Sequence, residues 1–171
     1  MQLTDAIHLL QAAPISSDIP AIWADLGSGS GLFTRALAHL LPEQSTIYAI
    51  DKSRQSLPGS TKKTSLHFLQ ADFEKSDLSL PPLQGILMAN SLHYVANKKA
   101  LLLRLQAYFA DQAKFIIVEY DTQSSNPWVP YPIDFSHLKT LFMDAGFQQV
   151  IKLGERPSAY GRSNMYAAWV E

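Results

Sequence analysis

The glycine-rich stretch Gly27-Ser28-Gly29-Ser30-Gly31 follows an apolar run at 21–26 and precedes a segment with helical spacing. Glycine lacks Cβ, so such a turn can hold positive φ and lets a ligand touch bare backbone. Asp25 stands just before the turn. Two more aspartates end later apolar runs, Asp51 after 46–50 and Asp72 after 66–69. Asp51 lies about twenty residues beyond the last glycine, the separation at which a carboxylate can accept from both hydroxyls of a ribose. Asp72 could accept from an exocyclic amine, as adenine has. Ligands of open α/β sheets bind beyond the carboxyl ends of the strands. A bare turn and acids at three consecutive strand ends therefore describe one adenosine-shaped crevice. Taken singly, each aspartate reads as a helix or turn cap, and the glycines as a tight turn.

The elements that would position these residues follow from apolar spacing. Residues 3–12 read as a short helix with Ala6, Leu9 and Leu10 on one side. Strands are predicted at 21–26, 46–50, 66–69, 85–89 and 115–119. The last is apolar almost throughout, as a strand covered on both faces should be. A helix over 32–41 carries Leu32, Ala36 and Leu40 beside Phe33, Leu37 and Leu41, and Pro42 stops it. The polar segment 52–64 holds at most one helical turn. Asn97 can cap a helix over 98–109, and Ser136 a later helix that Gly146 ends. Residues 147–153 and 165–170 read as final strands with no helix between them, so they should pair antiparallel. The expected architecture is a three-layer α/β fold, a mostly parallel seven-stranded sheet ending in an antiparallel hairpin.

Composition narrows the function classes. Of 171 residues, 47% are hydrophobic, enough for a core in one domain spanning 1–171, with 1–19 as a short N-terminal helical extension. A net charge of −1 gives no footprint for nucleic acid or anionic membrane. The chain has no cysteine, which excludes disulfides, thiolate catalysis and cysteine-based metal sites. No metal site is expected. The N-terminus does not look like a signal peptide, and no run approaches a membrane span, so a soluble cytoplasmic protein is the default.

Asp25-Leu26-Gly27-Ser28-Gly29-Ser30-Gly31 resembles the first motif of class I S-adenosylmethionine-dependent methyltransferases, which have a Rossmann-like fold. Ile47-Tyr48-Ala49-Ile50-Asp51 is similar to the second motif, Gln70-Ala71-Asp72-Phe73 to the third, and 86–94 to the fourth. The likeness runs from about residue 19 to the end. It implies S-adenosylmethionine as the cofactor, with Gly27, Ser28, Gly29 and Gly31 passing close to it. It implies that Asp25 helps hold the cofactor's amino group, that Asp51 takes the ribose hydroxyls and that Lys52 lies against the adenine. Asp72 would receive the adenine amine with Phe73 beside the ring, and Asn90 would lie near the methionine part. A nicotinamide dehydrogenase is the competing reading. The spacing G-x-G-x-G, not G-x-G-x-x-G, and the terminal hairpin count against it.

Methyl transfer is an in-line displacement with a good neutral leaving group, so positioning can supply most of the catalysis. A base is needed only where the acceptor must lose a proton early. Candidate catalytic residues follow the fourth and fifth strands: His93, Tyr94 and Glu119. His93 could be a base, since imidazole ordinarily titrates near neutrality, or could cap a turn. Glu119 could bind an acceptor amine or pair with a lysine or arginine. Tyr120, Trp128, Tyr131 and Arg162 are candidate acceptor-binding residues. Trp128 and Tyr131 sit among prolines that stiffen their loop, and would form an apolar wall or pack on the body. The acceptor site would be open, closed by the first helix and the 120–132 loop, or completed by a second subunit in a homodimer. A small-molecule acceptor is expected. RNA or protein acceptors, or a non-catalytic cofactor-binding module, are the alternatives. The neutral charge and Asn90-Ser91-Leu92-His93, in place of an Asn-Pro-Pro-Tyr-type signature, count against nucleic acid.

Overall fold

A computed structural model of the chain describes residues 1–57, 60–61, 63–158 and 163–171. Seven strands form one sheet: β1 (Ile22–Leu26), β2 (Thr46–Asp51), β3 (Ser65–Gln70), β4 (Gly85–Ala89), β5 (Phe115–Tyr120), β6 (Val150–Pro157) and β7 (Asn164–Val170). Their order is β3-β2-β1-β4-β5-β7-β6. The first five pair in parallel, and β7 runs antiparallel to both β5 and β6. The chain winds outward from β1 through β2 to β3, then returns to lay β4 on the other side of β1. That reversal opens a crevice between the ends of β1 and β4, the place where open sheets bind ligands.

Successive strand residues point to opposite faces, so each face has its own core. On one face Ala24, Leu26, Ile86, Met88 and Ile117 pack under Leu101, Leu102 and Leu105 of α3 (Lys98–Leu105) and Leu138 and Phe142 of α4 (Phe135–Asp144). On the other, Trp23, Leu87, Ile116 and Val118 meet Ala6 and Leu10 of α1 (Leu3–Leu10) and Phe33, Ala36 and Leu37 of α2 (Leu32–Leu40). These are the three expected layers. Helix α1 is built into the second core: Ala6 and Leu10 are fully buried, and Leu9 stands beside Gly154 of β6. No helix among the described residues is long and apolar enough to cross a membrane.

Several boundaries differ from expectation: α1 ends at Leu10 instead of 12, β6 runs on to Pro157 instead of 153, and three more differ for visible reasons. Asp134, not Ser136, caps α4: its carboxylate accepts the His137 amide, and Ser136 Oγ donates to the same group. Helix α3 stops at Leu105 and tightens into a 3₁₀ turn over Gln106–Tyr108. Strand β6 begins three residues later than 147. The amides of Gly146 and Phe147 return to the Met143 and Phe142 carbonyls. This Schellman-type stop, with Gly146 at φ +95°, occupies the residues the strand would have used.

Trp23 on β1 pairs directly with Gly85 on β4, and a Cβ on Gly85 would stand 2.3 Å from the Trp23 ring. Gly85→Ala should therefore destabilise the fold by about 2 kcal/mol or more through overpacking of the β1–β4 seam. Chemical denaturation would show this as a lower midpoint, and an unchanged midpoint would contradict the packing described.

Candidate functional site

The glycine turn joins the end of β1 to α2. Gly27, Gly29 and Gly31 all adopt positive φ, at +81°, +50° and +77°. Gly27 and Ser28 donate their amides to the Ile50 carbonyl at 2.8 and 3.0 Å, which ties the turn to β2. A Cβ on Gly27 would lie 2.5 Å from Ser91 Cβ, with Phe73 Cε1 at 3.5 Å, so the β4 end and Phe73 press on bare backbone. Gly29 differs: a Cβ there would meet nothing within 4 Å. The turn thus presents its middle to open space while its first residue is packed.

The three aspartates converge on this turn. Asp51 Oδ2 accepts the Gly29 amide at 2.8 Å, and its Oδ1 accepts the Ser53 amide at 2.8 Å. The Asp51 carbonyl accepts the Ala71 amide at 3.0 Å, placing Asp72 next along the same edge. Asp72 Oδ1 accepts the Glu74 amide at 3.1 Å, with Lys75 Nζ 3.7 Å from Oδ2. Asp51 and Asp72 are therefore turn-forming residues as well as partly buried acceptors. Phe73 is fixed from behind, where the Arg104 guanidinium donates to its carbonyl. Lys52 is exposed and contributes its carbonyl to Gln70 Nε2.

Asp25 lies deeper. It is 1% exposed and accepts from Thr34 Oγ1 of α2 at 2.5 Å, while Oδ1 has no hydrogen-bond partner among the described residues. Burial pushes its carboxyl up to about 7, the nearby Asp51 charge adds to this, and the Thr34 bond opposes it. Ser28 Oγ and Asn90 Oδ1 are likewise buried without a partner. Asn90, at φ +54°, turns the chain at the end of β4 and anchors its amide on the Val118 carbonyl. Three buried polar atoms lacking partners around one strand seam are what a polar ligand would satisfy.

Beyond Asn90 the crevice continues into a cavity of about 810 Å³ lined by His93, Tyr94, Tyr120, Thr122, Ser124, Asn126, Trp128, Val129, Ser158 and Ser163. His93 and Glu119 are both buried. Glu119 Oε1 accepts the His93 amide at 3.0 Å, and Oε2 lies 2.6 Å from His93 Nδ1. Glu119 pairs with a histidine, not with the lysine or arginine that were its sequence-level alternatives. Trp128 is 79% exposed, so it stands as a wall and does not pack on the body. Tyr131 lies outside the wall; its amide donates to the His93 carbonyl, and Lys98 Nζ bonds its carbonyl at 2.8 Å, tying the loop to the turn before α3. Helix α1 takes no part in the cavity. Arg162, expected to bind an acceptor, lies outside the described residues, as does its neighbour Tyr160. Thr34 and Ser91 were not expected at the site. Among the described residues, no cluster of three His, Asp or Glu could hold a metal ion.

Asp25 holds its proton more tightly in the folded chain than its ordinary value of 3.8 would allow. Its contribution to stability therefore falls as pH rises from about 4 through about 7, and the full penalty persists above. Asp25→Asn removes this dependence. Between pH 5 and pH 8 its stability relative to the parent chain should rise by roughly 2 kcal/mol, measured by denaturation at both pH values. A constant difference would contradict the buried, half-satisfied carboxylate.

The fold matches known proteins. The structure superposes on a Burkholderia thailandensis 1,6-didemethyltoxoflavin-N1-methyltransferase holding its substrate and S-adenosylhomocysteine. The TM-score is 0.73 at 19% identity, covering 98% of this chain and 76% of that one. It also superposes on a magnesium protoporphyrin IX methyltransferase from Synechocystis PCC 6803 with S-adenosylmethionine bound, with TM-score 0.64, 14% identity and coverage of 99% and 77%. No curated protein matches at the level of sequence. A family described as a methyltransferase domain matches residues 22–151, most of the chain and all of the crevice. The chain belongs to the methyltransferase-domain family.

Proposed function

We propose that the chain binds S-adenosylmethionine in the crevice between β1 and β4 and moves its methyl group to a small molecule held in the adjoining cavity. One observation carries the reading. The open side of Gly29 lies beside the Asp51 carboxylate, among three buried polar atoms without partners, Asp25 Oδ1, Ser28 Oγ and Asn90 Oδ1. This donor and acceptor set fits a nucleoside carrying an amino acid. Asp51 would take the ribose hydroxyls through its remaining lone pairs. Asp72 would take the adenine amine, with Phe73 and Lys52 flanking the ring. Gly29 offers the open backbone, with Gly27, Ser28 and Gly31 shaping the turn around it, and Asp25 and Asn90 would face the amino-acid end. When bound, the cofactor supplies an electrophilic methyl group on a sulfonium centre.

What the chain must then do is orient the acceptor and exclude water. A cavity of about 810 Å³ suits a small organic molecule. Tyr94, Tyr120 and Trp128 offer flat apolar surface, while Thr122, Ser124 and Asn126 offer neutral hydrogen bonds. The described lining contains no lysine or arginine, which disfavours RNA as the acceptor. A cavity of this size standing open beside Asn90 also favours an enzyme over a binding module whose pocket is blocked. The cytoplasm, where S-adenosylmethionine is made, is the compartment this reading implies.

Isothermal titration should give saturable heat with S-adenosylmethionine and with S-adenosylhomocysteine. Asp51→Ala, checked for folding by circular dichroism, should weaken both at least tenfold, about 1.4 kcal/mol. The absence of heat with either ligand would overturn the assignment.

A further inference from the structure

We infer that His93, held by Glu119, is the base that takes a proton from the acceptor, and that the acceptor is a neutral hydroxylated aromatic compound. The inference rests on the methyl-transfer reading above and extends it to the second substrate.

The geometry begins with Glu119. Its two oxygens are both used on one residue, Oε1 by the His93 amide and Oε2 by the ring at 2.6 Å. An ionised carboxylate only accepts hydrogen bonds, so Nδ1 must be the donor. In the neutral form of that tautomer the lone pair is on Nε2, for which no hydrogen bond to a described residue is seen. His93 lines the cavity next to Asn90, and as the base it would turn its Nε2 edge to the space where the acceptor sits. A buried carboxylate that fixes the tautomer and faces the charge the ring gains is the arrangement that makes a histidine a base. A histidine that only capped a turn would not require a second buried acid, whose desolvation is costly. The groups standing around the pair are Tyr94 on the same turn, Tyr120 on β5, Tyr166 on β7 opposite Glu119, Tyr131 in the loop, and Lys98, whose charge acts on Glu119.

The presence of a base selects the acceptor. An amine attacks with its lone pair and can lose its proton afterwards, whereas a hydroxyl gains nucleophilicity only as its proton leaves. The cavity selects further. Rings of Tyr94, Tyr120 and Trp128 line it, and no lysine, arginine, aspartate or glutamate is among its described lining residues. Among the described lining residues an anionic or cationic acceptor would find no counter-charge for the hydration it loses. In the step itself, the acceptor O–H bond breaks and its proton passes to His93 Nε2. The oxygen forms a bond to the methyl carbon, and the carbon–sulfur pair leaves on sulfur as a neutral thioether. His93 returns the proton to solvent.

Ring ¹⁵N NMR of the chain alone, at mildly alkaline pH, tests the base. The His93 signals are identified by their loss in His93→Gln. They should report Nδ1–H with an unprotonated Nε2, and Glu119→Gln, whose amide can donate, should move the population toward Nε2–H. An Nε2–H ring in the parent chain overturns the inference. The acceptor class is tested with 4-nitrophenol added to the chain loaded with S-adenosylhomocysteine. The bound probe should show a larger phenolate absorbance than free probe at the same pH, and His93→Gln should abolish the increase. 4-Nitrobenzoate should bind at least tenfold more weakly. Identical spectra in the parent chain and His93→Gln, absence of 4-nitrophenol binding, or equal affinity for the benzoate would each overturn the proposal. Failure of S-adenosylhomocysteine to bind would instead overturn the cofactor reading, and the tautomer measurement distinguishes the two cases.

Discussion

Ser91 Oγ donates to the Leu26 carbonyl at 2.6 Å, and the site depends on the seam this bond closes. It joins the last residue of β1 to the first turn after β4, where the winding of the sheet reverses. Ser91 also presses its Cβ against the bare Cα of Gly27, so the glycine turn takes its course from a residue 64 positions later. At the start of the same two strands, Trp23 lies on Gly85. Two glycines are therefore consumed by packing between β1 and β4. Only because that seam is tight can Gly29 be left facing open space, with Asp25 beneath it and Asn90 beside it.

The two deeply buried acids are treated in opposite ways. Glu119 receives two donors from a single histidine, so its desolvation is matched by bonds that persist in the absence of ligand. Asp25 receives one donor, from Thr34, and keeps an oxygen without a partner. A carboxylate left in that condition resists ionisation at neutral pH. A positively charged amino group arriving beside it would supply what the fold withholds. The acid at the cofactor end is thus incomplete without a ligand, and the acid at the acceptor end is complete and holds a side chain in place.

Much of this was readable from residue types. Asp51 and Asp72 end apolar runs, and a turn of alternating glycines between a strand and a helix has few other uses, so the crevice could be placed before any coordinates. The mostly parallel sheet followed from strands alternating with helices, and the final hairpin from the lack of a helix between its strands, whereas the strand order was not readable. The partnership of His93 with Glu119 was not readable, because 26 residues and a whole helix separate them and no spacing rule links a turn to the adjacent strand. Thr34 looked like an ordinary helix residue. Its signal was a polar position within a buried face, flanked by Phe33, Ala36 and Leu37. Asp134 and Ser136 are both good caps two residues apart. The choice fell to Asp134 because its carboxylate also gathers Gln123 and the His137 ring.

The central claim is that the β1–β4 crevice, rather than the aromatic-walled cavity beside it, receives the nucleoside. A crystal structure with S-adenosylhomocysteine tests this most directly. The account predicts the ribose on Asp51, the adenine between Phe73 and Asp72, and the amino-acid end toward Asp25 and Asn90. A nucleoside lodged against Trp128 and Ser124, with the glycine turn untouched, would contradict it.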